Sequence, residues 1–96
     1  MNIGLAIKKI RTEKGISQGD FAKACEVSQT AISQIENSVR RPNKSTLEKI
    51  CKGLEVPETI LYLYALEESD IPEGKKQVYE LLYPSIKGMI EKLVTS

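Results

Sequence analysis

Five uncharged polar residues fall within residues 29–37, interleaved with apolar ones. Their amides and hydroxyls can both donate hydrogen bonds to and accept them from base edges in a DNA major groove. The set comprises Gln29, Thr30, Ser33, Gln34 and Asn37. At about 3.6 residues per turn these side chains share one outer face of a helix. The pattern therefore predicts a helical surface that can read bases.

Two short helices around a tight turn are expected to position that face. Ser17 with Asp20 three residues later, and Ser28 before Gln29, are typical helix starts, so the break falls between Cys25 and Ser28. Helices joined by so short a link must cross steeply. The apolar residues predicted to hold them together are Phe21, Cys25, Val27, Ile32 and Ile35.

A longer string of residues agrees in order and spacing with a known family. The string comprises Ile7, Arg11, Gly15-Ile16-Ser17-Gln18, Phe21-Ala22, Val27-Ser28-Gln29, Ile32-Ser33-Gln34-Ile35-Glu36-Asn37, Arg41-Pro42, Leu47, Ile50, Leu54 and Val56. Residues 3–66 thereby resemble the helix-turn-helix proteins of the phage repressor and Cro type, the XRE family. The resemblance implies that the second helix of the pair enters the major groove, with Gln18 and Gln29 holding the DNA. It also implies an ion pair between Arg11 and Glu36.

Two positions depart from the family's usual pattern. Most relatives have Gly where this chain has Glu26, and a left-handed backbone there would cost a non-Gly residue about 1 kcal/mol or more. We therefore expect a slightly altered turn. After the second helix, the usual Asn-Gly is Asn37-Ser38, and we expect Asn37 to take the left-handed conformation instead.

The predicted DNA contacts divide by chemistry. Gln29, Thr30 and Gln34 are expected to contact bases, because amides suit adenine and the threonine methyl suits the thymine methyl. Ser33 lies on the same face and belongs to the candidate DNA-binding set. The residues expected to hold phosphates are Gln18, Asn37, Arg40, Arg41 and Lys44.

Charge is unevenly distributed, although the net value is only +1. Residues 1–56 hold ten Lys and Arg against six acids, whereas residues 57–96 hold four Lys against seven acids. The basic half contains the predicted DNA contacts, so positive potential is concentrated where phosphates would lie. The alternative is that these charges only solvate helix faces.

Helical spacing predicts an all-α fold of five helices with an additional C-terminal helix, and the resemblance implies that the five helices form a lambda-repressor-like DNA-binding domain. The expected segments are a helix-turn-helix domain over residues 1–67, a linker over 68–74 and a helical extension over 75–96. Ser45 with Glu48 predicts the start of the fourth helix. The fifth helix is expected to close the core with Ile60, Leu61, Leu63, Tyr64 and Leu66.

The extension carries a wide apolar stripe that needs a partner. Its members are Tyr79, Leu82, Ile86, Met89 and Leu93, flanked by Val78, Leu81, Ile90 and Val94. The stripe either packs back on the fifth helix or pairs with a second copy, and we favour dimerisation. Pro84 removes a hydrogen bond to the Glu80 carbonyl and is expected to kink or divide the helix.

These features predict a sequence-specific regulator of transcription that binds double-stranded DNA, a repressor acting as a homodimer on a palindromic operator. One alternative is an antitoxin-type protein whose stripe also binds a toxin. Another is a restriction-modification-type controller that both activates and represses. A further protein partner is thus left open.

Other classes are disfavoured by what the sequence lacks. Without any His, a nucleophile elbow or a phosphate-cradling glycine loop, an enzyme is not expected. Cys25 and Cys51 cannot alone complete a zinc site, so we expect buried free thiols, no metal and no cofactor. Residues 1–10 form neither a signal peptide nor a membrane span, which predicts a cytoplasmic protein.

Overall fold

The computed structural model describes residues 1–95, and every regular element in that range is helical. The elements are α1 (Ile3–Glu13), α2 (Gln18–Cys25), α3 (Gln29–Glu36), α4 (Lys44–Leu54), α5 (Glu58–Ala65), two short 3-10 turns (Glu68–Asp70 and Glu73–Lys75) and α6 (Lys76–Thr95). The all-α class with an additional C-terminal helix is therefore confirmed. None of the helices described is long and apolar enough to cross a membrane.

Polar side chains cap the helices near their predicted starts. The side-chain oxygens of Asn2, Ser17 and Ser28 each accept a hydrogen bond from a backbone N–H three residues later, at 3.0–3.1 Å. The start of α4 was predicted wrongly, because Asn43 rather than Ser45 is its cap. The Asn43 side chain accepts from the backbone N–H of Thr46 at 2.8 Å.

The core lies where the first five helices meet. α1 packs against α3 and α5, while α2 packs against α3 and α4. The largest fully buried side chains include Ile7, Ile10, Phe21, Ile32, Ile35, Ile50, Leu54 and Leu61. Leu63 was wrongly expected in this core; it is exposed because, at about 100° per residue, it lies on the side of α5 opposite Leu61.

Two glycines allow the closest approaches between helices. A Cβ at Gly4 would collide with the Ile35 carbonyl oxygen, so α1 could not come as close to α3. A Cβ at Gly53 would lie 2.6 Å from the Cys25 Sγ, where α4 meets α2. Both contacts fix how the α2–α3 pair sits on the rest of the core.

The C-terminal helix is continuous through Pro84, so the division expected there is wrong. Pro84 and Glu80 are both exposed, which leaves the carbonyl of Glu80 accessible to water in place of its missing helix partner. α6 packs against α1 and α5 through Ile90 and Val94, which are almost fully buried. The hydroxyl of Tyr83 also donates to the Leu66 carbonyl oxygen at 3.4 Å.

Candidate nucleic-acid interface

The turn between α2 and α3 is built on a left-handed residue. Glu26 has φ 58° and ψ 38°, and the N–H of Val27 donates to the Ala22 carbonyl oxygen at 3.1 Å, which closes the end of α2. The turn therefore keeps the conformation that a glycine would adopt, contrary to the altered turn expected from the sequence. Because the helix ends and Val27 are held by packing, the strain is accepted at Glu26.

A buried ion pair connects α1 to α3. The Nε of Arg11 donates to Glu36 Oε2 at 2.7 Å, and the Nη2 donates to Oε1 at 3.0 Å. The Nη1 of the same guanidinium donates to the Ile16 carbonyl oxygen at 2.8 Å. Arg11 is 8% exposed and Glu36 4% exposed. The pairing that the family resemblance implied is confirmed, and it holds the last turn of α3 against α1.

Hydrogen bonds extend from this ion pair to the protein surface. The Nε2 of Gln18 donates to Glu36 Oε1 at 3.2 Å, and the Nε2 of Gln29 donates to Gln18 Oε1 at 3.5 Å. The sequence assigned Gln18 only a DNA contact and missed its bond to Glu36, for which no local signal exists. The two amides, at the starts of α2 and α3, are thus oriented by one buried carboxylate.

Polar side chains of α2 and α3 meet in one shallow concavity on the surface. Its lining residues are Gln18, Gln29, Thr30, Ser33 and Gln34. Gln29 and Thr30 are exposed, while Ser33 and Gln34 are half-buried. The structure thereby brings together five of the nine residues predicted to bind DNA, and none of the five carries a charge. Such a surface can exchange hydrogen bonds with base edges without repelling phosphates.

The segment after α3 differs from the prediction. Ser38, with φ 61°, takes the left-handed conformation, whereas Asn37 has φ −91° and ψ 7°. The reason is positional: Asn37 is the last, half-helical residue, and the left-handed residue of a helix end follows it. The N–H groups of Val39 and Arg40 both donate to the Gln34 carbonyl oxygen, at 2.9 and 3.2 Å.

Three cationic residues follow α3 in the chain. Arg40, Arg41 and Lys44 are all exposed, and no ion pair within residues 1–95 engages them. Their charges are therefore available to a polyanion. Val39, to which the sequence assigned no role, is 75% exposed next to Arg40. An apolar residue in a polar loop was the only signal that could have singled it out.

The predicted dimerisation stripe is separated into two parts. Leu82, Ile86, Met89 and Leu93 are exposed, with fractions from 39% at Ile86 to 66% at Met89. Tyr79 is half-buried and stacks on Tyr83, with ring centroids 4.7 Å apart. The residues of α6 that reach the core are instead Ile90 and Val94, which the prediction placed at the flanks of the stripe.

The two cysteines are buried and unpaired, as predicted. Burial, with a smaller effect of the neighbouring Cys51, raises the pKa of the Cys25 thiol to about 11. Burial likewise raises the pKa of Cys51. Within residues 1–95, no group of three or more His, Cys, Asp and Glu side chains could hold a metal ion.

Comparison with known proteins gives consistent matches. A family model described as "Helix-turn-helix" matches residues 7–61, a range that ends before α6. Similar curated proteins include the uncharacterized HTH-type transcriptional regulator Rv0023 of Mycobacterium tuberculosis, 39% identical over 54 residues, or 56% of this chain and 21% of the relative. The uncharacterized HTH-type transcriptional regulator YqaF of Bacillus subtilis is 36% identical over 56 residues, covering 58% of this chain and 74% of YqaF.

The chain thus spans only about a fifth of the mycobacterial relative's length. Among solved structures, the wild-type restriction-modification controller protein C.Esp1396I is similar, with 39% identity and a TM-score of 0.62. That match covers 67% of this chain and 82% of the controller protein. A point mutant of the same controller matches with 43% identity and a TM-score of 0.61, over 64% of this chain and 79% of the mutant chain.

Proposed function

The chain belongs to the helix-turn-helix family, as an XRE-like regulator of transcription that binds DNA, and from that premise we propose that it is a sequence-specific repressor acting as a homodimer on a palindromic operator. The observation that carries the proposal is the uncharged concavity of α2 and α3, oriented by the buried Glu36 carboxylate. A rigid set of amides and hydroxyls supports selection among base pairs better than a surface of mobile charges.

Base contacts are proposed for the N-terminal part of α3 and one turn beyond it. Gln29 and Gln34 offer amides that can bind adenine through two hydrogen bonds, and Thr30 offers a methyl group to thymine. Ser33 lies between them in the same concavity and can bond to either base partner. The Nε2 of Gln29 lies 3.5 Å from Gln18 Oε1, so the two amides stand beside each other at the edge of the concavity.

Phosphate contacts are proposed around this concavity. Gln18 lies at the start of α2, and the cationic side chains follow α3. The proposed set comprises Gln18, Asn37, Arg40, Arg41 and Lys44. Contacts of this kind set affinity and orientation while carrying no sequence information directly.

Homodimerisation is supported by the exposed stripe on α6 and by the small number of base pairs that one recognition helix, here α3, can contact. One such helix reads only a few base pairs, so a two-fold dimer on two half-sites, about 34–36 Å or a multiple apart, is needed for useful specificity. We assign the interface to Leu82, Ile86, Met89 and Leu93, with Tyr79 at its inner edge. This assignment treats residues 75–96 as the dimerisation segment and residues 1–67 as the DNA-binding domain.

The experiment that tests sequence-specific binding selects bound duplexes from a random pool. Recovery of one two-fold symmetric motif would support the proposal. If no sequence motif were enriched among the bound duplexes, sequence-specific recognition would be overturned. Recovery of a motif without two-fold symmetry would overturn only the palindromic operator.

Sedimentation equilibrium tests the dimer separately. Leu82→Asp places a charge in the stripe and should give a folded monomer with weakened operator binding. The matched control is Gln77→Asp, which adds the same charge to an exposed position about 140° around α6 and should stay dimeric. A Leu82→Asp variant that remains dimeric would contradict the assigned interface.

A controller role is the second candidate, favoured by the match to a restriction-modification controller protein. A controller would use the same DNA contacts and would activate as well as repress. Two reporter promoters distinguish the roles. One carries the selected site upstream of the start of transcription, and the other carries it overlapping that start. Repression at both positions supports the repressor, whereas activation from the upstream site supports the controller. Copurification of a small partner chain with monomeric protein would instead favour the antitoxin-type alternative.

A further inference from the structure

The exposed side of α6 has a composition suited to another helix. We call the stripe face the residues Val78, Leu82, Ile86, Met89 and Leu93. All five are apolar and at least 39% exposed. At about 100° per residue they occupy a sector of about 80°, adjacent to the side on which Ile90 and Val94 meet the core. This face is therefore additional to the surface that α6 uses within its own chain.

Four of the five residues of the stripe face form two pairs about one midpoint, whereas the counterpart of Ile86 is Ser85. Val78 and Leu93 are equally far from the midpoint between Ser85 and Ile86, and Leu82 and Met89 are equally far from the same midpoint. In an antiparallel two-fold pair centred on that midpoint, the two members of each pair would face each other, so apolar side chains of one copy meet apolar side chains of the second. This match favours a second copy of this chain as the occupant of the face.

We propose that two copies pair through antiparallel α6 helices whose two-fold axis passes near Ser85 and Ile86. This inference rests on the proposed homodimer and specifies its geometry. In the resulting register, Leu82 packs against Met89 of the second copy, and Val78 packs against Leu93 of the second copy. Ile86 packs next to Ser85 of the second copy, where the small serine side chain leaves room for the helices to approach.

Antiparallel pairing also fits the charges better than parallel pairing. A parallel pair would place both copies of Lys75 and Lys76 at one end, together with the positive ends of two helix dipoles. Antiparallel helices separate these charges by most of the length of α6, about 30 Å for 20 residues.

Pro84 and three charged residues of α6 lie away from the stripe face, whereas Lys92 lies about 80° from its centre. Pro84 lies about 160° around the helix from the centre of the stripe face, so its ring points away from the second copy. The charged residues Glu80, Lys87 and Glu91 fall on that same far side. Because each core is attached through Ile90 and Val94, the two cores lie toward opposite ends of the helix pair.

Cysteine cross-linking tests the register. Variants with Leu82→Cys and Met89→Cys are purified singly, mixed, allowed to exchange subunits and oxidised briefly under native conditions. The mixture should give several-fold more disulfide-linked dimer than either variant alone, because Leu82 lies about 10 Å along the axis from its own symmetry copy. Wild-type protein is the control, since Cys25 and Cys51 are buried. The pair Val78→Cys with Leu93→Cys repeats the test should the first pair fail to fold.

Each outcome separates the inference from the homodimer itself. Efficient cross-linking of Leu82→Cys alone, or of Leu93→Cys alone, would mean parallel pairing and would overturn the inference. A dimer by sedimentation that cross-links with neither mixed pair would overturn it as well, while leaving the homodimer intact. Wild-type protein that sediments as a monomer would overturn the homodimer on which the inference rests.

Discussion

Arg11 and Glu36 form a two-point ion pair that joins α1 to the end of α3, with nitrogen–oxygen distances of 2.7 and 3.0 Å. Both residues are nearly fully buried, and the third guanidinium nitrogen is satisfied by the Ile16 carbonyl oxygen. The pair therefore sets the position of α3 relative to α1. Through Gln18 it also sets the amides that we propose face DNA.

Breaking this pair should destabilise the fold strongly. Arg11→Met leaves the Glu36 carboxylate buried without its partner, and we expect the free energy of unfolding to fall by about 3–5 kcal/mol in urea denaturation. The double variant Arg11→Met with Glu36→Leu should recover part of that loss. The exposed pair of Lys76 and Glu73 is the control, and Lys76→Ala should cost at most about 1 kcal/mol. Equal costs for Arg11→Met and Lys76→Ala would contradict the structural role of the buried pair.

Gln34→Ala should reduce sequence discrimination. We expect a loss of about 1–3 kcal/mol in binding to the selected operator and little change on random DNA, because only the operator offers the matching base edge. Fluorescence anisotropy with both duplexes measures the difference. Gln77→Ala, an exposed glutamine on α6, is the control and should change neither affinity. Equal losses on the two duplexes would assign Gln34 to the phosphate backbone instead.

Arg41→Ala should act on both duplexes alike. Removing one phosphate contact should weaken operator and random DNA by similar factors and reduce the slope of log K against log salt by about one. Titrations at several salt concentrations provide the slope. Lys75→Ala removes an equal charge in front of α6 and should leave the slope unchanged. A slope unaffected by Arg41→Ala would remove Arg41 from the proposed contacts.

Glu26→Gly should stabilise the protein. Relief of the left-handed strain at φ 58° outweighs the added entropy of the unfolded chain, and we expect a net gain of about 0.5–1 kcal/mol in the free energy of unfolding. Glu48→Gly is the matched control, because Glu48 is exposed inside α4 and its replacement should cost about 1 kcal/mol. Destabilisation by Glu26→Gly would show that the Glu26 side chain contributes more than its backbone costs.

Stability should decline at alkaline pH partly through Cys25. The folded protein holds the thiol protonated because its pKa is raised from 9.0 to about 11. The resulting stabilisation is fully present below the unfolded pKa and is lost as pH rises from about 9 towards 11. In urea denaturation with reductant present, Cys25→Ala should lose less stability than the wild type across this window. Parallel pH profiles for the two proteins would contradict the raised pKa.

Local signals in the sequence succeeded where one residue and its immediate neighbours decide the outcome. Ser17 and Ser28 cap helices because their hydroxyls need only a backbone N–H three residues away. At α4, both Asn43 and Ser45 have side chains of the capping type, and in the structure Asn43 is the cap. At Pro84 the local signal failed, because α6 continues through the proline. Its contacts with α1, α5 and the preceding 3-10 turn hold the helix together.

The hydrogen-bonded link from Glu36 through Gln18 to Gln29 could not be predicted from spacing. Gln18 and Glu36 are 18 positions apart in the chain, and Gln29 and Gln18 are 11 apart. The link forms because the fold places the start of α2 beside the buried Glu36 carboxylate at the end of α3. Periodicity placed Tyr79, Leu82, Ile86, Met89 and Leu93 on one stripe, yet it could not tell which of two adjacent rows meets the core. Ile90 and Val94 do so, as members of the buried core cluster.

The sequence by itself determined the all-α class, the α2–α3 pair and the polar face of α3, because helix caps, apolar periodicity and family resemblance are readable along the chain. Only the tertiary structure decided how Glu26 and Ser38 carry the left-handed turns and how Glu36 orients Gln18. It also decided which side of α6 stays exposed. Those outcomes depend on contacts between residues distant in sequence, and only the packed core brings such residues together.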